Sequence, residues 1–226
     1  MNSYEIRSYE DIRDNLRVRV MDIKGNAETL QNSVYEPVGC GLALVAYMEL
    51  PDEIAEDGIA NVPKGLAMNM DGTSPDIILE DAVKGSVETS HPRLCAIQDM
   101  LMGPVFGQEP ENYLETGDMP EAGLLVLTAG DGRLGASALY YPDMKEKIGE
   151  IVGGDYYVLP SSIHEVLIMP DNGQITPMEL AKMVKEINET QVAPRDRLCN
   201  KVFRFSADTQ ELTVAADPDR RREMER

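Results

Sequence analysis

The chain has 226 residues, 42% of them hydrophobic, which is enough for a real core in one large domain or two small ones. No run approaches the roughly 18 consecutive apolar residues of a membrane helix, and the opening MNSYEIRSYEDIRDNL has neither an apolar core nor a small-residue cleavage site, so the expected location is the cytoplasm. The formal charge of −19 divides into −3 over residues 1–50, −12 over 51–121 and −4 over 122–226; so acidic a surface repels DNA, RNA and anionic membranes and suits a protein partner with a basic surface.

Ser8 to Asn15 reads as a short helix with a Ser cap and Asp11 at the capping-box position. Leu16 to Ile23 alternates as a strand, with Leu16, Val18 and Val20 on one face and Arg17 and Arg19 on the other. A helical turn is expected at Ala27 to Gln31. Cys40 to Leu50 is the most hydrophobic segment, and its Leu42, Leu44, Ala46, Met48, Leu50 alternation favours a strand over a buried helix. Pro51 and an acidic loop with Asp52, Glu53, Glu56 and Asp57 end it. Ile59 to Met68, interrupted by Pro63, is expected to return as its partner. Ser74-Pro75 starts a helix with Ile77, Ile78, Ala82 and Val83 on one face, and a further helical piece is expected over Pro92 to Leu101. Gly103 to Glu121, rich in Pro, Gly and acids without periodicity, reads as a long exposed loop.

Leu124 to Thr128 and Leu134 to Tyr140 are apolar runs joined by Ala129-Gly130-Asp131-Gly132-Arg133, the pattern of a hairpin. Pro142 opens a helix carrying a Met144, Ile148, Ile151, Val152 stripe and ending at Gly153. Tyr156 to Leu159 and Val166 to Met169 read as buried strands around a corner that begins at Pro160. Thr176-Pro177-Met178-Glu179 is a capping box, with Leu180, Met183, Val184 and Ile187 as the buried face of the helix it opens. Val202 to Phe205 and Leu212 to Val214 complete the strands. The implied class is α+β, a mixed and mainly antiparallel sheet with helices packed on it. The expected organisation is an N-terminal lobe over 1–102, an acidic loop or linker over 103–121, a C-terminal lobe over 122–216 and a frayed tail over 217–226, the two lobes being compatible with a single domain.

The corner concentrates Ser161, Ser162, His164 and Glu165 at a strand end, where binding and catalytic residues are favoured. A structural reading is preferred, because corner backbone needs such side chains to satisfy it. His164-Glu165 begins an H-E-x-x-H pattern but position 168 is Ile168, and with only His91 elsewhere no His-rich metal site is expected. Gly130, Gly132 and Gly135 formally match G-x-G-x-x-G, yet no helix opens there to meet a pyrophosphate, so no nucleotide cofactor is expected. Ser161 and Ser162 lack the G-x-S-x-G elbow, although a triad defined by geometry remains open for them with His164 or His91 and an acid. Cys40, Cys95 and Cys199 are far apart and unpaired in pattern, which fits reduced thiols; Cys199 as a nucleophile beside His164 is less favoured than an inert thiol.

YYVLPSSIHEVLIMPDNG, followed by Ile187-Asn188-Glu189-Thr190-Gln191-Val192 and by the Leu198 to Phe205 run, resembles an uncharacterised bacterial family of unknown function, and LLVLTAGDGRLGASALYYPDM is similar to that family's preceding block. The resemblance is specific over residues 122–206 and looser over 9–102. Ala129, Cys199, Phe203 and Phe205 depart from the Asn, Ser, Tyr and Tyr expected of the family, and the Cys199 departure argues against a shared catalytic thiol. The resemblance implies a bacterial, cytosolic setting and no activity. It maps a shared site onto Ser161, Ser162, His164 and Glu165, with Asn188 nearby in sequence.

Three functional readings follow. The first is a non-enzymatic protein that binds a macromolecule through the acidic middle third. The second is a small-molecule hydrolase or transferase using His164 as base and Ser161 or Ser162 as nucleophile. The third is an acidic nucleic-acid mimic, which requires the middle-third carboxylates on one face. No cofactor or metal is expected, and the sequence leaves the oligomeric state open.

Overall fold

The structure is a computed structural model and describes residues 8–51, 53–55, 58–69, 73–118 and 123–220. The chain is α+β and divides into two compact units, residues 1–90 and 91–226. In chain order, the first contains α1 (Glu10–Arg13), β1 (Leu16–Asp22), α2 (Ala27–Gln31), β2 (Tyr35–Gly39), β3 (Leu42–Glu49), β4 (Ile59–Asn61), α3 (Lys64–Asn69) and α4 (Pro75–Thr89).

Its antiparallel sheet runs β1-β3-β2, and β4 pairs with the Tyr47 to Glu49 end of β3. Every residue of β3 from Leu42 to Met48 is buried, because this central strand is covered on both faces. In β1 the expected face, Leu16, Val18 and Val20, points inward. The Val18 N–H finds its acceptor in α4, where Ser86 Oγ takes it at 2.8 Å in a buried setting. Such close approach requires glycine at the preceding position: a Cβ on Gly85 would lie 2.5 Å from the Leu16 carbonyl oxygen. Ser74 caps α4 through Ile77 N–H with Pro75 in the first turn, as its sequence predicts. In α1 Tyr9, not Ser8, holds the N-cap position, while Ser8 N–H still donates to Asp11. The expected partner strand over Ile59 to Met68 is shorter: β4 ends at Asn61, just before Pro63, which has no N–H for a ladder, and Lys64 to Asn69 turn into α3.

The second unit contains β5 (Arg93–Ala96), α5 (Ile97–Phe106), α6 (Tyr113–Thr116), β6 (Leu125–Thr128), a 3-10 helix over Gly135–Tyr140, α7 (Met144–Val152), β7 (Tyr156–Leu159), β8 (Glu165–Pro170), α8 (Pro177–Thr190), a 3-10 turn over Pro194–Asp196, β9 (Val202–Ser206) and β10 (Glu211–Ala216). Six antiparallel strands run in the order β10-β9-β7-β8-β6-β5. Side-chain alternation sends Tyr157 and Leu159 into one layer, where they pack with Leu180, Ala181 and Val184 of α8 and with Val202 and Ala216. Tyr156 points the opposite way and stacks on Phe205 with ring centroids 5.0 Å apart. Gly149 of α7 lies against that ring, a Cβ there falling 3.2 Å from Phe205. α8 carries the full capping box between Thr176 and Glu179.

Several expectations change here. The second compact unit begins at His91, and Arg93 to Ala96 pair with Leu125 to Thr128 in its sheet. The helical piece expected over Pro92 to Leu101 is strand β5 followed by α5. The expected loop over 103–121 contains the end of α5 and all of α6, with Asn112 capping the latter; residues 119–121 lie outside the described residues. The expected second hairpin strand, Leu134 to Tyr140, is a 3-10 helix. Of the expected tail, only 217–220 are described, and of the acidic loop Asp52, Glu56 and Asp57 are not.

At one end of the β7/β8 pair, Arg204 bridges Asp155 at 2.5 Å and Asp171 at 2.8 Å, and Ala207 N–H donates to Asp155. Burial acts to raise the Asp171 pKa, but hydrogen bonds from Arg204, the Gly173 N–H and the Tyr157 hydroxyl outweigh it and hold the carboxyl below the usual aspartate value.

Candidate functional site

The opposite end of that strand pair is the Pro160 to His164 corner. β7 ends at Leu159 and β8 begins at Glu165, so the five residues between them must turn the chain, and Pro160, unable to donate, marks the exit from β7. The corner is laced to residues 196–199. Ile163 N–H donates to the Asp196 carbonyl at 2.9 Å, Leu198 N–H to the Ser161 carbonyl at 3.0 Å, and Cys199 N–H to the Pro160 carbonyl at 3.1 Å. Ser162 forms an isolated antiparallel bridge with Arg197. On the other side, Ala136 N–H donates to the Ile163 carbonyl at 3.3 Å and Thr128 Oγ1 to the His164 carbonyl at 3.0 Å.

Ser161 and Ser162 are both buried. Ser162 Oγ accepts the main-chain N–H of His164 at 3.0 Å, the short-range bond that serines make at turns. The His164 ring is held by a different group: its Nδ1 accepts the Leu134 N–H at 3.2 Å. Accepting at Nδ1 fixes the neutral tautomer with its proton on Nε2. That Nε2 faces Asp196 Oδ1 at 3.6 Å, too long for a direct hydrogen bond, and Arg195 Nε stands 3.6 Å from the same oxygen. Glu165 opens β8 opposite Thr128 of β6.

The G-x-G-x-x-G stretch supplies the clamp on this histidine. Leu134 sits in the left-handed region at φ 52, which aims its N–H at the ring. Gly135 then passes so close to the sheet that a Cβ would fall 2.1 Å from the Ala129 nitrogen and 2.7 Å from the His164 oxygen. Gly135, Ala136, Ser137, Ala138 and Leu139 of the 3-10 helix are all buried, and at Gly135 the approach to β6 and β8 leaves no room for a Cβ. Asp196 and the Leu134 N–H are the partners that sequence reading missed; the glycine spacing of 130–135 is the signal that marked the loop.

Asn188, on α8, is also buried. Its Nδ2 donates to the Cys199 carbonyl at 3.0 Å and to Asn200 Oδ1 at 2.8 Å, which ties α8 to the strip that holds the corner, while its Oδ1 is buried with no donor among the described residues. His91 is exposed and left-handed, at φ 44. No group of three His, Cys, Asp or Glu side chains among the described residues is arranged to hold a metal.

A second feature of this unit is electrostatic. Between Arg93 and Arg133 the chain has no lysine or arginine. Asp99, Glu109, Glu111, Glu115 and Asp118 within this interval are all exposed. Gln108 N–H donates to the Gly103 carbonyl at 2.9 Å, closing the end of α5, and Arg93 donates to the Pro110 carbonyl at 2.8 Å, tying that part of the segment to the start of β5.

A protein family of unknown function, DUF5688, matches residues 1–207. The chain belongs to that family. The DUF5688 match takes in the first unit and the second as far as residue 207, with the corner and the Leu134 clamp, so it is broader than the 122–206 stretch on which the resemblance is most specific. No curated protein and no solved structure matches the chain. No helix among the described residues is long and apolar enough to cross a membrane.

Proposed function

We propose that this protein is a non-enzymatic binding protein of the bacterial cytosol whose partner is a macromolecule with a basic surface. The observation that carries the reading is the exposed acidic segment of the second unit, with Asp99, Glu109, Glu111, Glu115 and Asp118 and no cation in sequence between Arg93 and Arg133. Carboxylates so placed set up a field of one sign, which speeds encounter with an opposite charge and rejects nucleic acid. The corner favours the same reading. A general base needs a free ring lone pair within reach of the nucleophile. Here the one lone pair of the neutral His164 ring accepts the Leu134 N–H.

The test is capture of partners from a bacterial lysate on the immobilised chain, in parallel with a variant in which these five acids are replaced by Asn or Gln. The expected result is a partner that is retained at low salt, released by salt and absent from the neutralised variant. Retention that ignores both salt and neutralisation overturns the reading, as does recovery of nothing above background.

A further inference from the structure

A cavity of about 240 Å³ lies in the first unit, between α4 and the junction of α1 with β1. That volume is below the roughly 300–1,000 Å³ of sites that take drug-sized ligands, so an occupant is small. On α4, Asp81, Lys84 and Glu88 recur at i, i+3 and i+7 and share one helix face, and Arg13, Asp14 and Arg17 complete the charged lining from α1 and β1. Gly85 and Thr89 are the remaining lining residues, so among the described residues no large apolar side chain faces the cavity. An apolar ligand has nothing to pack on here.

The six charged groups divide three and three, in a chain whose formal charge is −19. Part of this charge is already answered. Arg13 Nε and the Tyr9 hydroxyl both donate to Asp81 Oδ2, at 3.1 and 2.5 Å. The Arg17 side chain is only 12% exposed and is fixed in place: its Nη1 donates to the Asp14 and Leu16 carbonyls at 2.8 and 2.7 Å, and its Nη2 stands 3.3 Å from Glu49. Its Nε–H is buried without an acceptor among the described residues. The side chains of Lys84, Asp14 and Glu88 remain, all exposed and none in an ion pair among the described residues.

We propose that this cavity binds a free α-amino acid, with its carboxylate on Lys84 and Arg13 and its ammonium on Asp14 and Glu88. Charge selects the occupant. Phosphate or another simple anion meets three carboxylates, a polyamine meets three cations, and an uncharged ligand answers neither sign. A zwitterion that carries both charges a few ångströms apart gives each unpaired lining group an opposite charge. The site belongs to a unit that the acidic-surface reading does not use, so the inference goes beyond that reading.

The experiment is isothermal titration of the full chain with each common α-amino acid in turn, with inorganic phosphate and putrescine as controls of a single sign. At least one amino acid is expected to bind with a Kd below about 1 mM. Its N-acetyl derivative, which lacks the ammonium, and its α-amide, which lacks the carboxylate, are each expected to bind at least about tenfold more weakly. Lys84→Gln and the double variant Asp14→Asn/Glu88→Gln alter only exposed side chains and are expected to lose about the same factor, whereas Lys182→Gln on α8 leaves binding unchanged. Binding of no amino acid overturns the proposal. So does phosphate or putrescine binding as tightly as the best amino acid, since the cavity then reads one sign of charge. Affinity that survives in either cavity variant places the site elsewhere, and affinity that survives in either derivative assigns it another chemistry; both overturn the proposal. None of these outcomes touches the acidic-surface reading, which the lysate capture tests separately.

Discussion

The main-chain N–H of Leu134 donates to Nδ1 of His164 at 3.2 Å and so decides which ring nitrogen of the motif histidine carries the proton. One backbone group from the glycine loop thus sets the chemistry of a side chain on the β7/β8 corner.

This bond predicts an ordered set of substitutions at 164. Asn places an amide oxygen near the position of Nδ1, whereas Leu offers no acceptor to the Leu134 N–H. His164→Leu is expected to cost about 1–2 kcal/mol, and His164→Asn less than half of that. Chemical denaturation midpoints of the two variants check the order. Equal losses show that the ring is held by packing and not by its acceptor.

Gly135→Ala is expected to be far more damaging than an ordinary glycine substitution. Its Cβ falls 2.1 Å from the Ala129 nitrogen and 2.7 Å from the His164 oxygen, both main-chain atoms that cannot rotate away. A loss on the order of 3 kcal/mol or more is expected, against a fraction of that for Gly123→Ala, where a Cβ meets nothing. Thermal unfolding of the pair checks it.

Ser86→Ala removes the acceptor of the buried Val18 N–H. The expected cost is about 1–3 kcal/mol, the range for a stranded buried donor. The Val18 amide should also exchange faster with solvent than in the parent chain, which hydrogen exchange reads directly. Unchanged protection at Val18 shows that another acceptor takes over.

The Asp171 carboxyl gives the protein an acid-side stability term. Its folded pKa lies below its unfolded value, so the contribution is fully present above the ordinary aspartate value of roughly 3.9 and is lost as pH falls through the depressed folded value. Asp171→Asn is therefore expected to be less stable than the parent at neutral pH by about 1 kcal/mol, a modest figure because Arg204 is 40% exposed. The gap should close progressively below about pH 4. A gap that is constant from pH 7 to pH 3 attributes the loss to packing.

Much of the fold was legible from local chemistry. Thr176, Pro177 and Glu179 start a helix wherever the chain places them, and Ser74-Pro75 does the same for α4. The alternation of Leu16, Val18 and Val20 fixed an inward face, and the turn residues around Tyr156 to Met169 isolated two strands and a corner. The exposed apolar stripe of α5, Leu101, Met102, Val105 and Phe106, was not legible. The helical piece expected over Pro92 to Leu101 reaches only its first residue, and Gly103 to Glu121, with its prolines, glycines and acids, reads as loop; a hydrophobic pattern normally marks a buried face, and here it marks the open one.

The sequence by itself determined the α+β class, the strong helix starts, the acidic middle and the residues gathered at the Pro160 to Glu165 corner, because capping, periodicity and charge act over a few residues. Only the tertiary structure decided that Gly135 to Tyr140 form a 3-10 helix and not a strand, that Arg93 to Ala96 join the second sheet, and that the His164 lone pair is already occupied. Each of these involves a partner distant in the chain: β6 and β8 lying against Gly135, Leu125 to Thr128 receiving Arg93 to Ala96, and the Leu134 N–H meeting the ring. A short apolar run or a lone histidine carries no local record of which neighbour will satisfy it.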